Sequence, residues 1–147
     1  MEDIATLSLK ALWKEGVRAI VFFDGTCGLC DRFVQFSVAR DWRRRLRYAP
    51  QQGETFRRIF GEPTLNSVVT ITLNRDGLAA VHRRSDAMIE AVRLLGLPWR
   101  GCVLLRLIPR LIRDTLYRIV SVFRYHIFGK YTTCRIPASG EARLFLP

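Results

Sequence analysis

Acidic residues are scarce in this sequence, and lysine is scarcer still. The chain has 147 residues, with 13 Asp and Glu against 24 Lys and Arg, and only three of those cations are lysine. The resulting formal net charge of +11 excludes an acidic, solvating chain. Three classes of partner fit such a charge: nucleic acid, an anionic membrane surface, and acidic proteins or small anions.

Long uncharged stretches are also absent. The longest stretch without Asp, Glu, Lys or Arg covers 12 residues, 63–74, whereas a helix that crosses a bilayer needs about 20 apolar residues. The first residues, Met1–Thr6, include two acids, and no apolar run follows them as it would in a secretory signal. We therefore predict a cytoplasmic protein, whose thiols are kept reduced.

Cysteine is limited to four residues, Cys27, Cys30, Cys102 and Cys134, of which only the first two are close together. A closed tetrahedral metal site would need two further ligands, and no second close pair supplies them. We predict neither a metal nor another cofactor. Two interpretations of Cys134 remain open, an additional redox thiol and a free cysteine in a polar tail.

Hydrophobic periodicity predicts alternating strands and helices. The predicted elements, in chain order, are a helix over 3–15, a strand over 17–23, a helix over 28–42, a strand over 47–49, a helix over 54–60, strands over 68–73 and 78–82, and a helix from Ser85 to Leu95. We expect Ser85 to cap the last of these helices. A βαβ unit followed by a β-hairpin and a helix is the minimal thioredoxin-like arrangement, so the predicted fold class is α/β and thioredoxin-like.

The chain shows no linker and no internal repeat, which predicts a single domain over 1–147. Residues 17–97 form its predicted core. Residues 98–131 differ from the core, because their apolar residues recur at helical spacing among many cations. We therefore predict a basic, amphipathic helical extension at the C-terminal end.

Eight cations accompany a single acid, Asp114, between Arg100 and Arg135. Pro109 interrupts the periodicity there and is expected to open a second helix. We expect the extension to cover the sheet with its apolar face, while its cationic face meets water. If the apolar face were left uncovered, the same helices would suit the surface of an anionic membrane.

The segment Cys27-Gly28-Leu29-Cys30 follows a buried-strand pattern and opens a helix. A thiolate at a helix N-terminus is stabilised by unpaired N–H groups and by the helix dipole, and two intervening residues bring both sulfurs within disulfide range. We predict that Cys27, the more exposed cysteine, attacks a disulfide in a protein or small molecule. Cys30 then resolves the mixed disulfide. Gly28 leaves the intervening backbone free to bend.

Two polar residues, Asp24 and Thr26, occupy the turn before this pair. If burial raises its pKa, Asp24 accepts a proton from Cys30; otherwise it orders the loop as a turn residue. Both interpretations remain open. Thr26 is expected either to donate a hydrogen bond to a sulfur or to stabilise the turn.

The segment Asp24-Gly25-Thr26-Cys27-Gly28-Leu29-Cys30 resembles the DCC family of thiol-disulfide oxidoreductases, which is named for this Asp, Cys, Cys pattern. The resemblance extends over about residues 19–137, through Ser85-Asp86-Ala87, Pro109, Arg113-Asp114, Tyr117, Arg124-Tyr125, Phe128-Gly129 and Cys134. It implies a thioredoxin-like fold, thiol–disulfide exchange at Cys27 and Cys30, and a place for Asp24 and Cys134 in the site. It also implies that a further set of residues lines or braces the site: Ser85, Arg113, Asp114, Tyr117, Arg124 and Tyr125.

Ordinary thioredoxins place a cis-proline just before the third strand of this core, opposite the active disulfide. Here that place falls near Ser67-Val68, and the nearest proline is Pro63. Two alternatives stay open: the backbone edge on which a substrate docks remains available without the proline, or redox partner recognition and general disulfide reduction are lost with it.

The alternative to an enzyme is a basic binding module in which the cysteine pair is structural or metal-binding. A run of arginines could contact phosphates: Arg40, Arg43, Arg44, Arg45 and Arg47. Because cations near a helix C-terminus suit its dipole, we interpret the run as a solvated helix end and do not expect nucleic acid as a partner. Peripheral contact with a membrane stays open.

The excess of positive charge also suggests a role in the cysteine chemistry. If the extension packs beside the Cys27 loop, Arg113 and Arg124 are expected to stabilise its thiolate and to attract anionic substrates.

Overall fold

Residues 4–62, 67–129 and 140–147 are described by a computed structural model in which strands and helices follow the predicted order. The elements are α1 (Ile4–Lys14), β1 (Ala19–Phe23), α2 (Gly28–Arg40), β2 (Leu46–Pro50), α3 (Glu54–Phe60), β3 (Val69–Asn74), β4 (Gly77–Arg83), α4 (Ser85–Arg93), a 3₁₀ helix (Trp99–Leu107), α5 (Arg110–Phe128) and a short 3₁₀ turn (Ala142–Leu144).

The four strands form one sheet in the order β2-β1-β3-β4. Strand β1 pairs with β2 in parallel, and β3 is antiparallel to both β1 and β4. The parallel strands β1 and β2 are connected through α2, and the antiparallel strands β3 and β4 form a hairpin. This arrangement confirms the predicted α/β, thioredoxin-like fold class.

Strand β1 is buried along its whole length because helices cover both faces of the sheet. Its side chains alternate between two apolar clusters. Val21 and Phe23 point to the cluster that includes the cysteine pair and residues of α2 and α4. Ile20 and Phe22 point to the cluster beneath α1 and α3. Full burial of a side chain such as Phe22 contributes about 1.5–3 kcal/mol, so these two clusters fix the strand that leads into the cysteine loop.

The predicted N-cap of α4 is wrong. Arg84 precedes the helix with a φ of 57° and makes no side-chain cap hydrogen bond. Ser85 is the first helical residue, and its hydroxyl donates to Asp114 Oδ1 at 2.6 Å. The hydroxyl therefore connects α4 to α5 and is not available to the first turn of its own helix.

The prediction that the extension covers the sheet with its apolar face is also wrong. Pro109 does precede α5 as expected, but many apolar side chains of the extension are exposed: Leu104, Leu105, Leu107, Ile108, Leu111, Ile112, Leu116, Ile119, Val120, Val122, Phe123 and Ile127. The reason is that α5 turns polar side chains inward. Arg113, Tyr117 and Arg124 all make hydrogen bonds to groups of the thioredoxin-like core.

The C-terminal segment lies along the free edge of β2. Phe145 forms a parallel bridge with Tyr48, and the Thr55 N–H donates to the Pro147 carbonyl at 2.7 Å. Gly53 permits this approach, because a Cβ at that position would lie 2.9 Å from the carbonyl carbon of Pro147. The edge of the sheet is thereby covered by the chain's own last residues.

Candidate active site

The cysteine pair occupies the start of α2, directly after the turn that follows β1. Cys27 is the N-cap residue, Cys30 lies in the first helical turn, and the two are 3.6 Å apart. Both are buried, with 0% of the surface of Cys27 and 5% of that of Cys30 exposed, so the expectation that Cys27 is the more exposed of the two is wrong. The C-terminal end of α5 returns to this loop, where the Gly28 N–H donates to the Gly129 carbonyl at 3.2 Å. Tyr125 packs against the apolar cluster that includes the two cysteines.

The surroundings of the two sulfurs shift their pKa values in opposite directions. The neighbouring Cys30 thiol is the largest influence on Cys27; burial opposes it, and the N–H groups of Cys30 and Leu29 together with Arg124 help to lower the pKa of Cys27 to about 6. The pKa of Cys30 is raised by its hydrogen bond with Cys27, by burial and by the negative charge of Cys27. At neutral pH, Cys27 is therefore the thiolate and Cys30 the thiol.

Asp24 organises the turn that presents Cys27. Its Oδ1 accepts from the Thr26 N–H at 3.0 Å, the Thr26 hydroxyl at 2.7 Å and Gln52 Nε2 at 3.0 Å. Its Oδ2 accepts from Arg124 Nη2 at 3.3 Å and from the Tyr125 hydroxyl. Thr26 thus donates to the carboxylate, and one carboxylate binds together the loop, the end of β2 and the end of α5.

These contacts bear on the two interpretations of Asp24. Burial would raise its pKa, but hydrogen bonds from Tyr125, Thr26 and Gln52 outweigh burial and lower the pKa to about 2. A carboxylate with such a pKa is ionised at neutral pH and is a weak proton acceptor. The geometry therefore favours loop ordering over acceptance of a proton from Cys30.

Arg124 provides the buried positive charge of the site. Its side chain is 6% exposed and forms an ion pair with Asp24, which is 13% exposed. It also donates to the Tyr125 hydroxyl at 3.1 Å, and its guanidinium lies 4.7 Å from the centre of the Tyr125 ring. Among the described residues, its Nε has no hydrogen-bond partner. Arg124 therefore serves both the carboxylate of the loop and, through space, the thiolate of Cys27.

A second polar cluster joins the N-terminal ends of α4 and α5. Arg113 Nη1 donates to Ser85 Oγ at 3.1 Å and to Asp86 Oδ1 at 2.9 Å, while Ser85 donates to Asp114. The Ser85 hydrogen bond is the main cause that lowers the pKa of Asp114. This cluster braces the two helices and does not contact the cysteine loop.

A cleft of about 520 Å³ runs between the two clusters, bounded by α2, α4, the 3₁₀ helix and α5. Most of its lining is apolar, including Phe33, Val92 and Val120. Five predicted site residues also line it: Cys30, Ser85, Arg113, Tyr117 and Arg124. The other predicted residues that the structure describes lie around the Cys27 loop or in the second polar cluster. Cys134 lies outside the described residues.

The backbone edge considered for substrate docking has its N–H and carbonyl groups at Val68 already hydrogen-bonded within the protein. The Val68 N–H donates to the Tyr117 hydroxyl at 2.9 Å, and the Val68 carbonyl accepts from the Arg84 N–H at 3.2 Å. A side chain of α5 therefore occupies the donor of this edge. Pro63 lies outside the described residues.

Replacing Tyr117 by phenylalanine is expected to lower the free energy of unfolding by about 1–3 kcal/mol, because the Val68 N–H loses its acceptor. Urea denaturation with an unchanged m-value measures this loss. The main causes of the lowered pKa of Cys27 do not include Tyr117, so we expect that pKa to change little. Wild-type stability in the variant would show that the hydrogen bond contributes nothing.

The remaining candidates from the sequence, the arginine run and a metal site, do not belong to this cleft. The run Arg40–Arg47 begins at the far end of α2, whose 13 residues span about 20 Å. Asp41 is buried there and accepts hydrogen bonds from the N–H groups of Arg45 and Leu46. In the part of the chain that the structure describes, no three His, Cys, Asp or Glu residues lie together as a metal site would require.

Sequence reasoning missed two residues of the site, Gln52 and Gly129. Gln52 Oε1 accepts from the Gly25 N–H at 3.2 Å while its Nε2 donates to Asp24. A signal for Gln52 existed, since it follows β2 as Asp24 follows β1, and the carboxyl ends of two paired parallel strands meet at one edge. Gly129 acts through its carbonyl, which a side-chain pattern cannot reveal.

A cysteine pair at the start of the helix that follows the first strand of a thioredoxin-like sheet is typical of proteins with a redox role. A family model, DCC1-like thiol-disulfide oxidoreductase, matches residues 21–130, and the chain belongs to this family.

Two relatives support the assignment. The uncharacterized protein YuxK of Bacillus subtilis is 35% identical over 133 residues, which cover 87% of this chain and 93% of the relative. A DCC family protein of Arabidopsis thaliana, described as chloroplastic, is 27% identical over 133 residues, which cover 86% of this chain and 74% of the relative. No solved structure gives a significant match.

Proposed function

We propose that this protein catalyses thiol–disulfide exchange, with Cys27 as the nucleophile and Cys30 as the resolving cysteine. The observation that supports this most strongly is the opposite pKa shift of two cysteines 3.6 Å apart at a helix N-terminus. Such a pair supplies a thiolate that attacks a disulfide and a nearby thiol that stays protonated until it resolves the mixed disulfide.

In the first step the Cys27 thiolate attacks one sulfur of a substrate disulfide. A bond forms between Cys27 and that sulfur, the substrate S–S bond breaks, and the other substrate sulfur leaves as a thiolate. The helix N-terminus and Arg124 stabilise the thiolate before the attack.

In the second step Cys30 loses its proton and attacks Cys27. Two of the three causes that raise the pKa of Cys30 are its hydrogen bond with Cys27 and the Cys27 charge, and both disappear once Cys27 is in the mixed disulfide. The pKa of Cys30 then falls, while Arg124 still favours the thiolate. The proton of Cys30 passes to the departed substrate thiolate or to water. The Cys27–Cys30 disulfide forms as the bond between Cys27 and the substrate breaks, and the second substrate thiolate leaves. An external thiol or dithiol then reduces the Cys27–Cys30 disulfide again.

Access to Cys27 requires a local opening, because no part of its surface is exposed. The contacts nearest to the loop are the Gly28–Gly129 hydrogen bond and the bonds of Tyr125 and Arg124 to Asp24. All three come from the last five residues of α5 or the residue after it. We propose that this end of α5 moves to admit the substrate.

The pH dependence of the first step follows from the Cys27 pKa of about 6, lowered from an ordinary value of 9.0. The rate is expected to rise about tenfold per pH unit below that pKa and to level off above it.

Because the pKa of Cys27 is lowered on folding, its stabilising contribution is complete above pH 9.0 and is lost as the pH falls through 6. Ultraviolet absorbance of the thiolate measures the ionisation; Cys27→Ser is the control, and a midpoint near 9 would contradict the proposal.

A single-turnover experiment tests the proposed function. Reduced protein, mixed with a small aromatic disulfide, should release two equivalents of the aromatic thiol and end with a Cys27–Cys30 disulfide. The Cys102→Ser variant is a matched control, because Cys102 donates to the Ile89 carbonyl and makes no contact with the pair. Release of thiol by wild type at the rate of a Cys27→Ser, Cys30→Ser double variant would refute the function.

A further inference from the structure

One side of α5 is apolar and faces solvent. Ile112, Leu116, Ile119, Phe123 and Ile127 are spaced by three or four residues, so they share one side of the helix. Each is between 50% and 70% exposed. Isolated exposed apolar residues are ordinary, but a continuous row along a 19-residue helix marks an interaction surface.

The row continues onto the 3₁₀ helix. Leu105 and Ile108 line the cleft together with Leu116 and Val120, and these four are 38% to 58% exposed. We call the combined set the apolar surface: Leu105, Ile108, Ile112, Leu116, Ile119, Val120, Phe123 and Ile127. The cleft beside Cys30 opens within this surface.

The polar side of α5 prevents the apolar surface from turning into the core. Arg113 is paired with Asp86, Tyr117 with the Val68 N–H, and Arg124 with Asp24. Rotating the helix would break all three contacts. The fold therefore holds the apolar surface outward.

Cations outnumber acids around the apolar surface, and Arg110 lies 3.5 Å from the carboxylates of Asp86 and Asp114. Arg100, Arg110 and Arg118 are exposed on the same two elements or beside them. The single acid of residues 98–129 is Asp114, whose side chain is 14% exposed and bonded to Ser85. A helix with apolar side chains on one side and nearby arginines suits the interface of an anionic bilayer.

We propose that the apolar surface docks this protein onto an anionic membrane, with α5 lying in the plane of the interface. In the described ranges, no helix is long and apolar enough to cross a bilayer, so the contact is peripheral. This inference goes beyond the proposed exchange activity and does not depend on it. It places the mouth of the cleft at the lipid surface.

Vesicle co-sedimentation of the full-length protein tests the proposal. Wild type should bind vesicles that contain phosphatidylglycerol, bind pure phosphatidylcholine at least about tenfold more weakly, and lose binding as salt increases. The double variant Ile119→Asp, Phe123→Asp should bind the anionic vesicles at least about tenfold more weakly than wild type.

The matched control is Leu78→Asp, Val81→Asp, which introduces the same charges at apolar residues of β4 that are 40% and 39% exposed. This control should bind like wild type. An unchanged circular dichroism spectrum and unchanged Cys27 ionisation show that each variant is folded. Absence of wild-type binding to anionic vesicles would overturn the proposal, as would an equal loss of binding in the control. A wild-type dimer in sedimentation equilibrium that the Ile119→Asp, Phe123→Asp variant does not form would also overturn it.

Discussion

Cys27→Ser is expected to lower the rate of disulfide exchange by roughly a thousandfold or more, because a serine hydroxyl is not ionised near neutral pH and cannot replace a thiolate. Cys27 is the group that the helix N-terminus, Cys30 and Arg124 together hold in its ionised form. Steady-state reduction of a small disulfide, with dithiothreitol as the reductant, measures the loss. Residual activity within tenfold of wild type would contradict the assignment of the nucleophile.

Cys30→Ser gives the complementary result. Its Cys27 still attacks, but the mixed disulfide is not resolved and should accumulate as a stable adduct that mass spectrometry detects. Cys102→Ser should turn over like wild type. An adduct on Cys30 in the wild type, with none on Cys27, would reverse the assigned roles.

Arg124→Met is expected to lower the free energy of unfolding by about 1.5–3 kcal/mol, because the carboxylate of Asp24 loses its charged hydrogen-bond donor. Asp24 is 13% exposed and Arg124 is 6% exposed. Adding Asp24→Asn in a double variant should restore part of the lost stability, since the unpaired charge is then removed. Urea denaturation of the two single variants and the double variant measures the coupling.

The same substitution should raise the pKa of Cys27, because the attraction of a nearby positive charge is lost. Arg124→Lys keeps the charge and should recover part of the shift. Arg113→Met provides the control: Arg113 pairs with Asp86, and Arg124 is the only arginine among the main causes of the lowered pKa of Cys27. If Arg113→Met raised that pKa as much as Arg124→Met, the charge effect would not be specific to Arg124.

The sequence predicted the core of the fold well because its strongest signals were local. Five adjacent apolar residues in β1 indicated a strand covered on both faces. The turn after Asn74 fixed the hairpin, and the helix α3 (Glu54–Phe60) was predicted with its correct bounds. The orientation of α5 could not be predicted in this way. Its apolar row suggested a buried face, but long-range bonds of Arg113, Tyr117 and Arg124 turn the adjoining side of the helix inward.

The site was predicted in part, for the same reason. The position of the cysteine pair follows from a strand, a turn and a helix that are adjacent in the chain. The contacts of the loop with Arg124, Tyr125 and Gly129 come from residues about 100 positions further along the chain. Periodicity carries no information on which end of a distant helix returns to the loop.

The most direct test of the central claim is a redox titration of the full-length protein in glutathione buffers, with alkylation of the remaining thiols and mapping of the disulfides by mass spectrometry. A Cys27–Cys30 disulfide that forms and disappears reversibly, as a two-electron couple, is the result that the proposed function predicts. Two cysteines that stay reduced across the whole range would contradict it, as would a Cys27–glutathione disulfide that persists at equilibrium with no Cys27–Cys30 disulfide formed.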